Sequence, residues 1–398
     1  AGAPSTGRRL TVVGLVTIGL FAALFIRLWY LEVLSSPELS AAAQADVIRY
    51  VPVAAPRGTI VDRYGRVLVD NVSSDEVTVS QAHLLVNGSS LNKTLLNRLA
   101  GVLDTSEATL AATATANLPQ VGPYQPVPVA TGVNMGQVIY LEEHSAQFPG
   151  VAVVPEAIRY YPNGTTASHV LGYVGQITPS ELKQYAKQGY TQGDQFGQAG
   201  VEAEYQSYLR GTPGETKLEV DASGQVVKQL GQTPPVPGDT VQLNMDLGLQ
   251  EEVDSALANE IQTLRKTRDP SHGNIFYPAT GGAAVVMNPN NGHIYAMASY
   301  PTYDPSVWIG GISQAEYSAL TSTSSNDPLL NRAIQGLYTP GSTFKLATAT
   351  AALETGLMTP NTIVDDATGT FTNPACVGNT PLHNSGYEAL GPINIVSA

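Results

Sequence analysis

Tyr338-Thr339-Pro340-Gly341-Ser342-Thr343-Phe344-Lys345-Leu346-Ala347-Thr348-Ala349-Thr350-Ala351-Ala352-Leu353-Glu354 is the stretch on which the reading of this 398-residue chain turns. Ser342 follows a Pro-Gly turn and opens a long, almost uncharged run that ends at Thr355 and Gly356, so the segment reads as a helix with the serine at its start. Positions i and i+3 share a helix face, which sets Lys345 one turn above Ser342 and pointing at it. A serine hydroxyl is a weak nucleophile until a neighbouring base removes its proton, and an amine serves as that base when burial or nearby charge brings its pKa toward neutrality. An apolar helix is expected to supply the burial, and its first N–H groups lie near the charge that develops on an attacked carbonyl. Acyl transfer is the reaction class that fits. The alternative is a capping serine with a lysine that snorkels to solvent. The same spacing recurs at Ser90 with Lys93 and at Ser180 with Lys183, but without the turn or the apolar helix.

Upstream of this segment, Gly282–Met287 and His293–Ala298 flank Asn288-Pro289-Asn290-Asn291-Gly292, the composition of a hairpin turn. Before them Asp246 is positioned to cap a helix whose Leu249, Val253, Leu257, Ile261 and Leu264 form one apolar stripe. A helix beside an antiparallel hairpin points to an α+β domain. The linker-like stretch Gln232-Thr233-Pro234-Pro235-Val236-Pro237-Gly238 marks a boundary, and an earlier domain precedes it. In that domain Arg57–Val69 reads as two short strands around a Tyr-Gly turn, residues 92–118 as small helices, residues 119–155 as loops and strands, and Val201–Arg210 as a short helix capped by Gly211.

Leu10–Ile26 is a run of seventeen uncharged residues, followed by Arg27 and an aromatic Trp29-Tyr30 pair. It approaches the roughly 20 helical residues needed to span a bilayer. Arg8 and Arg9 precede it, and basic residues stay on the cytoplasmic side, so the reading is a signal anchor with the bulk of the chain outside. No small-residue cleavage site follows, which disfavours a removed signal peptide. A net charge of −13 disfavours a phosphate-backbone partner, and an extracytoplasmic domain works without nucleotides. The single cysteine, Cys376, excludes an intrachain disulfide and a cysteine-based zinc cluster. The six histidines are scattered, without metal-ligand spacing. No metal and no cofactor is expected.

Four motifs in order widen the reading: Arg57-Gly58-Thr59-Ile60-Val61-Asp62-Arg63-Tyr64-Gly65; Gly200-Val201-Glu202 with Tyr205 and Leu209-Arg210-Gly211; Asn331-Arg332-Ala333; and Tyr338 to Lys345. Together they resemble the class B penicillin-binding proteins, most closely the elongation type, over nearly the whole chain. The resemblance implies an α+β protein with a cytoplasmic tail (1–9), a single transmembrane anchor (10–34), an elongated mixed pedestal or dimerisation-type domain (35–237) and the first part of a serine β-lactamase-like transpeptidase domain (238–398). It implies a D,D-transpeptidase in a bacterial cell membrane that cross-links peptidoglycan stem peptides during cell elongation and is a target of β-lactams. Ser342 would attack the penultimate D-Ala carbonyl and Lys345 would accept its proton. A polytopic membrane glycosyltransferase is the implied partner. Arg57, Gly58, Asp62, Arg63, Glu202, Tyr205 and Arg210 would serve as structural or interdomain residues.

The resemblance has gaps. The family's Ser-x-Asn and Lys-Thr/Ser-Gly motifs do not follow Ser342; Ser324-Ser325-Asn326 precedes it and reads as a loop, and Lys266-Thr267-Arg268 lacks the glycine. The chain is therefore read as truncated, with both motifs beyond Ala398. A membrane-anchored scaffold that regulates a glycosyltransferase, or a penicillin sensor or resistance protein, are the alternatives.

Overall fold

The computed structural model describes residues 6–30, 47–122, 125–220, 226–270, 273–372, 381–384 and 388–397, with the side chains of residues 6–9 and 12 excepted. Cys376 and His272 lie outside them. The chain divides into two compact units, Ala1–Gln335 and Gly336–Ala398.

The first unit opens with α1 (Thr6–Trp29), a 24-residue helix. Among the described residues no helix is long and apolar enough to cross a membrane, and residues 31–34 of the expected anchor are not among them. Then come β1 (Ile48–Val53), β2 (Ile60–Val61) and β3 (Val67–Val79), followed by α2 (Lys93–Val102), α3 (Glu107–Asn117), β4 (Val127–Thr131), α4 (Met135–Glu143) and β5 (Val151–Tyr160). β3 organises this region, pairing antiparallel with β2 at its start, with β5 from Asp70 to Val79 and with β4 at its end. Its alternate residues Val77 and Val79 are fully buried beneath Leu95, Leu96, Leu99, Leu110 and Leu141 of α2, α3 and α4. Asn92, Ser106 and Asn134 cap those helices with their side chains, so each helix starts where its sequence supplies an acceptor.

Further along lie α5 (Ser168–Leu171), α6 (Gly200–Glu204), α7 (Gln206–Leu209), β6 (Gly214–Val220), β7 (Val226–Thr233) and β8 (Val241–Gln242). The expected helix over Val201–Arg210 is thus two short turns, broken at Tyr205, with Gly211 at φ +69° beyond them. β1, β6 and β7 form one antiparallel sheet, and β8 pairs parallel with β2. The stretch read as a linker is a held segment: β7 runs to Thr233, Val236 bridges Thr212, and Gly238 donates its N–H to the Pro56 carbonyl. The chain crosses itself here so closely that a Cβ at Gly58 would stand 1.9 Å from the Asp239 carbonyl oxygen, which is why glycine occupies that position.

A buried charge cluster locks this crossing. Glu202, fully buried, accepts from Arg57 Nη2 at 2.7 Å and from Arg159 Nε at 2.6 Å, and the side chains of both arginines are at most 5% exposed. Arg159 Nη1 also donates to the Gly58 carbonyl, and Gln206 Oε1 accepts from Arg57 Nη2. Beside it, Asp62 accepts the backbone N–H groups of Tyr64, Arg66 and Leu247 and the Arg66 side chain. Burial raises the Asp62 carboxyl's proton affinity, but these donors outweigh it and hold its pKa below the usual carboxylate value.

Leu247 opens α8 (Leu247–Leu264), whose N-cap is Asp246, and β9 (Gly282–Met287) and β10 (Ile294–Tyr300) form the expected hairpin. The apolar stripe of α8 covers it, with Leu257 and Ile261 against Gly282. Gln250, fully buried, does what the stripe does not reveal. Its amide donates to the Met297 carbonyl at 3.0 Å and accepts the Met297 N–H at 2.7 Å, pairing with β10 as a neighbouring strand would.

Candidate active site

Ser342 and Lys345 belong to the second unit. Its first element is a 3-10 turn over Gly341–Phe344, which runs into α10 (Lys345–Glu354); α9 (Arg332–Gln335) closes the first unit. The expected helix therefore begins as a tighter turn. Pro340 accepts both the N–H and the hydroxyl of Thr343, at 3.3 Å and 2.6 Å, and this double bond winds the chain to about three residues per turn. At that pitch residues three apart fall on one side of the turn, so Ser342 and Lys345 share a side. Their backbones are joined by the Lys345 N–H, which donates to the Ser342 carbonyl.

The capping alternative loses its serine, and one expectation changes. Ser342 does not act as a side-chain cap, so its hydroxyl is not committed to holding the helix. Lys345 is exposed rather than buried, because α10 has no buried residue: Phe344 is 60% exposed and Leu346 77%. Among the described residues, neither the Ser342 hydroxyl nor the Lys345 amine takes part in a hydrogen bond or ion pair. In the same unit β11 (Val364–Asp366) pairs with β14 (Gly391–Ile393), and β12 (Thr370–Phe371) with β13 (Leu382–His383). Asp366 ties these pairs together by accepting from the Gly369 and Leu390 N–H groups and from the Asn384 amide.

The other motif residues lie in the first unit. Arg57, Gly58, Asp62 and Glu202 form the crossing and its neighbour described above. The Arg63 guanidinium lies 4.5 Å from the centre of the Tyr295 ring, which links the Tyr-Gly turn to β10. Arg210 lies 3.5 Å from the Tyr190 ring centre and donates to the carbonyls of Gln188 and Gly189 and to Asp194. Tyr205 is 41% exposed. Ser324-Ser325-Asn326 is a turn, as expected, with Asn326 at φ +58°. Among the described residues no group of three or more His, Cys, Asp and Glu is placed to hold a metal ion.

His169 was unmarked in the sequence. It is buried at the start of α5, its Nε2 lies 2.7 Å from the Pro328 carbonyl, and the Asn331 amide donates to its own carbonyl. The neighbouring Ser168 hydroxyl meets Thr302 at 2.8 Å. Burial pushes the His169 pKa below the ordinary histidine value against the pull of the Pro328 carbonyl, and the Arg332 charge adds to the lowering. The unfolded chain takes up this proton near pH 6.5 and the folded chain only below that. Stability contributed here is full above about pH 6.5 and is lost as pH falls toward the depressed value. Thermal unfolding of His169→Gln is expected to depend less steeply on pH below about 6.5 than wild type; equal slopes would refute this reading.

Comparison with known proteins places these parts. Residues 52–243 match the Penicillin-binding Protein dimerisation domain and residues 282–393 the Penicillin binding protein transpeptidase domain. The peptidoglycan D,D-transpeptidase MrdA of Acinetobacter baumannii is 31% identical over 360 residues, 90% of this chain and 49% of its own length. That of Escherichia coli K12 is 31% identical over 363 residues, again 90% of this chain and 53% of the relative. The chain thus spans about half the length of the curated relatives it matches. The solved penicillin-binding protein PBP2 of Helicobacter pylori superposes with a TM-score of 0.65 at 27% identity, covering 87% of this chain and 60% of the other. The same protein in complex with MreC gives a TM-score of 0.64 over 87% of this chain and 59% of the other, at 27% identity.

Proposed function

Because the chain belongs to the class B penicillin-binding proteins, with a dimerisation domain ahead of a transpeptidase domain, we propose that it is a peptidoglycan D,D-transpeptidase acting through an acyl-enzyme on Ser342. The observation that carries the reading is the 3-10 turn that sets Lys345 one turn beyond Ser342, joined to it backbone to backbone, within the transpeptidase match. Lys345 takes the Ser342 proton as the oxygen attacks the penultimate D-Ala carbonyl of a stem peptide. The C–N bond to the terminal D-Ala breaks, the leaving amine gains a proton, and the acyl group passes to the amine of a second stem. A β-lactam enters by the same attack and its acyl-enzyme hydrolyses slowly.

The setting follows from the same reading. The domains are a pedestal over 35–237 and a transpeptidase region over 238–398. The uncharged Leu10–Ile26 run of the sequence, behind Arg8 and Arg9, supports a single anchor in a bacterial membrane with the N-terminus cytoplasmic. Cell elongation is the process, a membrane glycosyltransferase the partner, and no cofactor is needed.

Intact-mass spectrometry of the protein after incubation with a β-lactam tests this. One adduct of the antibiotic's mass is expected on the wild type and none on Ser342→Ala. A folded wild-type protein that takes no adduct would sink the assignment.

A further inference from the structure

β3 runs between β4 and β5, and its two faces differ. Val77 and Val79 point into the apolar core, so Asp70, Ser74, Glu76 and Thr78 share the opposite face. Glu76 stands in register between Val154 of β5 and Thr131 of β4, while Glu156 stands opposite Ser74. Residues paired across a ladder share a face, so the two glutamates are diagonal neighbours, within reach of long side chains. Both are half-buried.

Among the described residues no cation comes to this pair from the elements packed around it. β4 carries no ionisable residue. On β3, Asp70 lies at the far end opposite Tyr160, and Asp75 lies on the other face opposite Pro155. Arg159 of β5 stands opposite Asn71, on that other face, and is held by Glu202. α4 brings only Glu142 and Glu143, both exposed. Among the described residues neither Glu76 nor Glu156 forms a salt bridge with a basic group.

We propose that Glu76 and Glu156 hold one proton between them at neutral pH, and that its loss loosens the β3–β5 ladder, which makes this sheet a pH-responsive element of the protein. Two carboxylates side by side and partly removed from water ionise together only at a cost. Burial and the Glu156 charge push Glu76 up to about 8, and burial also raises Glu156 against the hydrogen bond from Glu76. In the unfolded chain both groups titrate near the ordinary value of about 4.3. The folded chain therefore holds an extra proton between that pH and about 8, and the associated stability is lost as pH rises through about 8.

Urea unfolding of the full chain between about pH 5 and about pH 9 tests the proposal. Relative to Glu76→Gln and to Glu156→Gln, the wild-type unfolding constant is expected to rise by up to about tenfold per pH unit and to level off above about 8. Asp70→Asn removes a carboxylate from the same face without touching the pair and keeps the wild-type steepness. Wild-type curves that run parallel to those of either glutamine variant, or an Asp70→Asn curve that flattens equally, overturn it.

Discussion

Replacing Lys345 by methionine is expected to slow acylation of Ser342 by a β-lactam about 10²- to 10⁴-fold, the usual contribution of a positioned base. Methionine keeps the unbranched chain and removes only the amine. The bond that sets the turn is between backbones, from the Lys345 N–H to the Ser342 carbonyl, and Thr343 holds Pro340 independently of residue 345. The serine therefore stays where it is while its proton acceptor is gone. Lys345 is exposed, so the change leaves no cavity and folding is not at stake. Stopped-flow measurement with a fluorescent penicillin separates the effects: the acylation rate falls and the initial affinity holds. A rate within about threefold of wild type would remove Lys345 from the chemistry.

Glu202→Gln is expected to cost about 3–5 kcal/mol of stability, the range for removing one partner of a buried ion pair. Arg57 and Arg159 would both remain buried, now without an anion, and among the described residues Arg57 Nη1 and Arg159 Nη2 already have no hydrogen-bond partner. The arginines cannot swing to solvent, because their other bonds go to Gln206 and to the Gly58 carbonyl inside the same crossing. Replacing all three charges by apolar residues of similar volume would cost far less, since desolvation offsets most of the attraction. Chemical unfolding of the single and triple variants checks both statements. A loss below about 1 kcal/mol for Glu202→Gln would show that the cluster is wetter than its burial implies.

Local chemistry was readable from the sequence where it is local. The hairpin of β9 and β10 follows from an Asn- and Gly-rich turn between two apolar runs, α8 from its cap and stripe, and the Ser342 turn from Pro340-Gly341. The pairings that hold the first unit together span 43 residues from Arg159 to Glu202 and 145 from Arg57 to Glu202, and no periodicity encodes them. Arg159 left one trace, a lone basic residue in the otherwise apolar end of β5. Gln250 left none, because an amide on a helix reads as solvent-facing until β10 is beside it. The expected burial of Lys345 failed for a related reason: an apolar helix is buried only where another element covers it, and α10 is covered no further than half-burying Ala349 and Ala352.

Gln250 also gives the hairpin a direction. A strand edge carries backbone groups that recruit further strands, and on β10 the groups of Met297 are already occupied by a side-chain amide imitating a strand. Among the described strands β9 has β10 as its one neighbour, and its Val285 and Met287 are 47% and 55% exposed. The sheet is therefore a one-sided template: a chain that extends it finds open backbone groups alongside β9, because on the β10 margin Gln250 has taken those of Met297 and the Asp246 N–H the carbonyl of Tyr295.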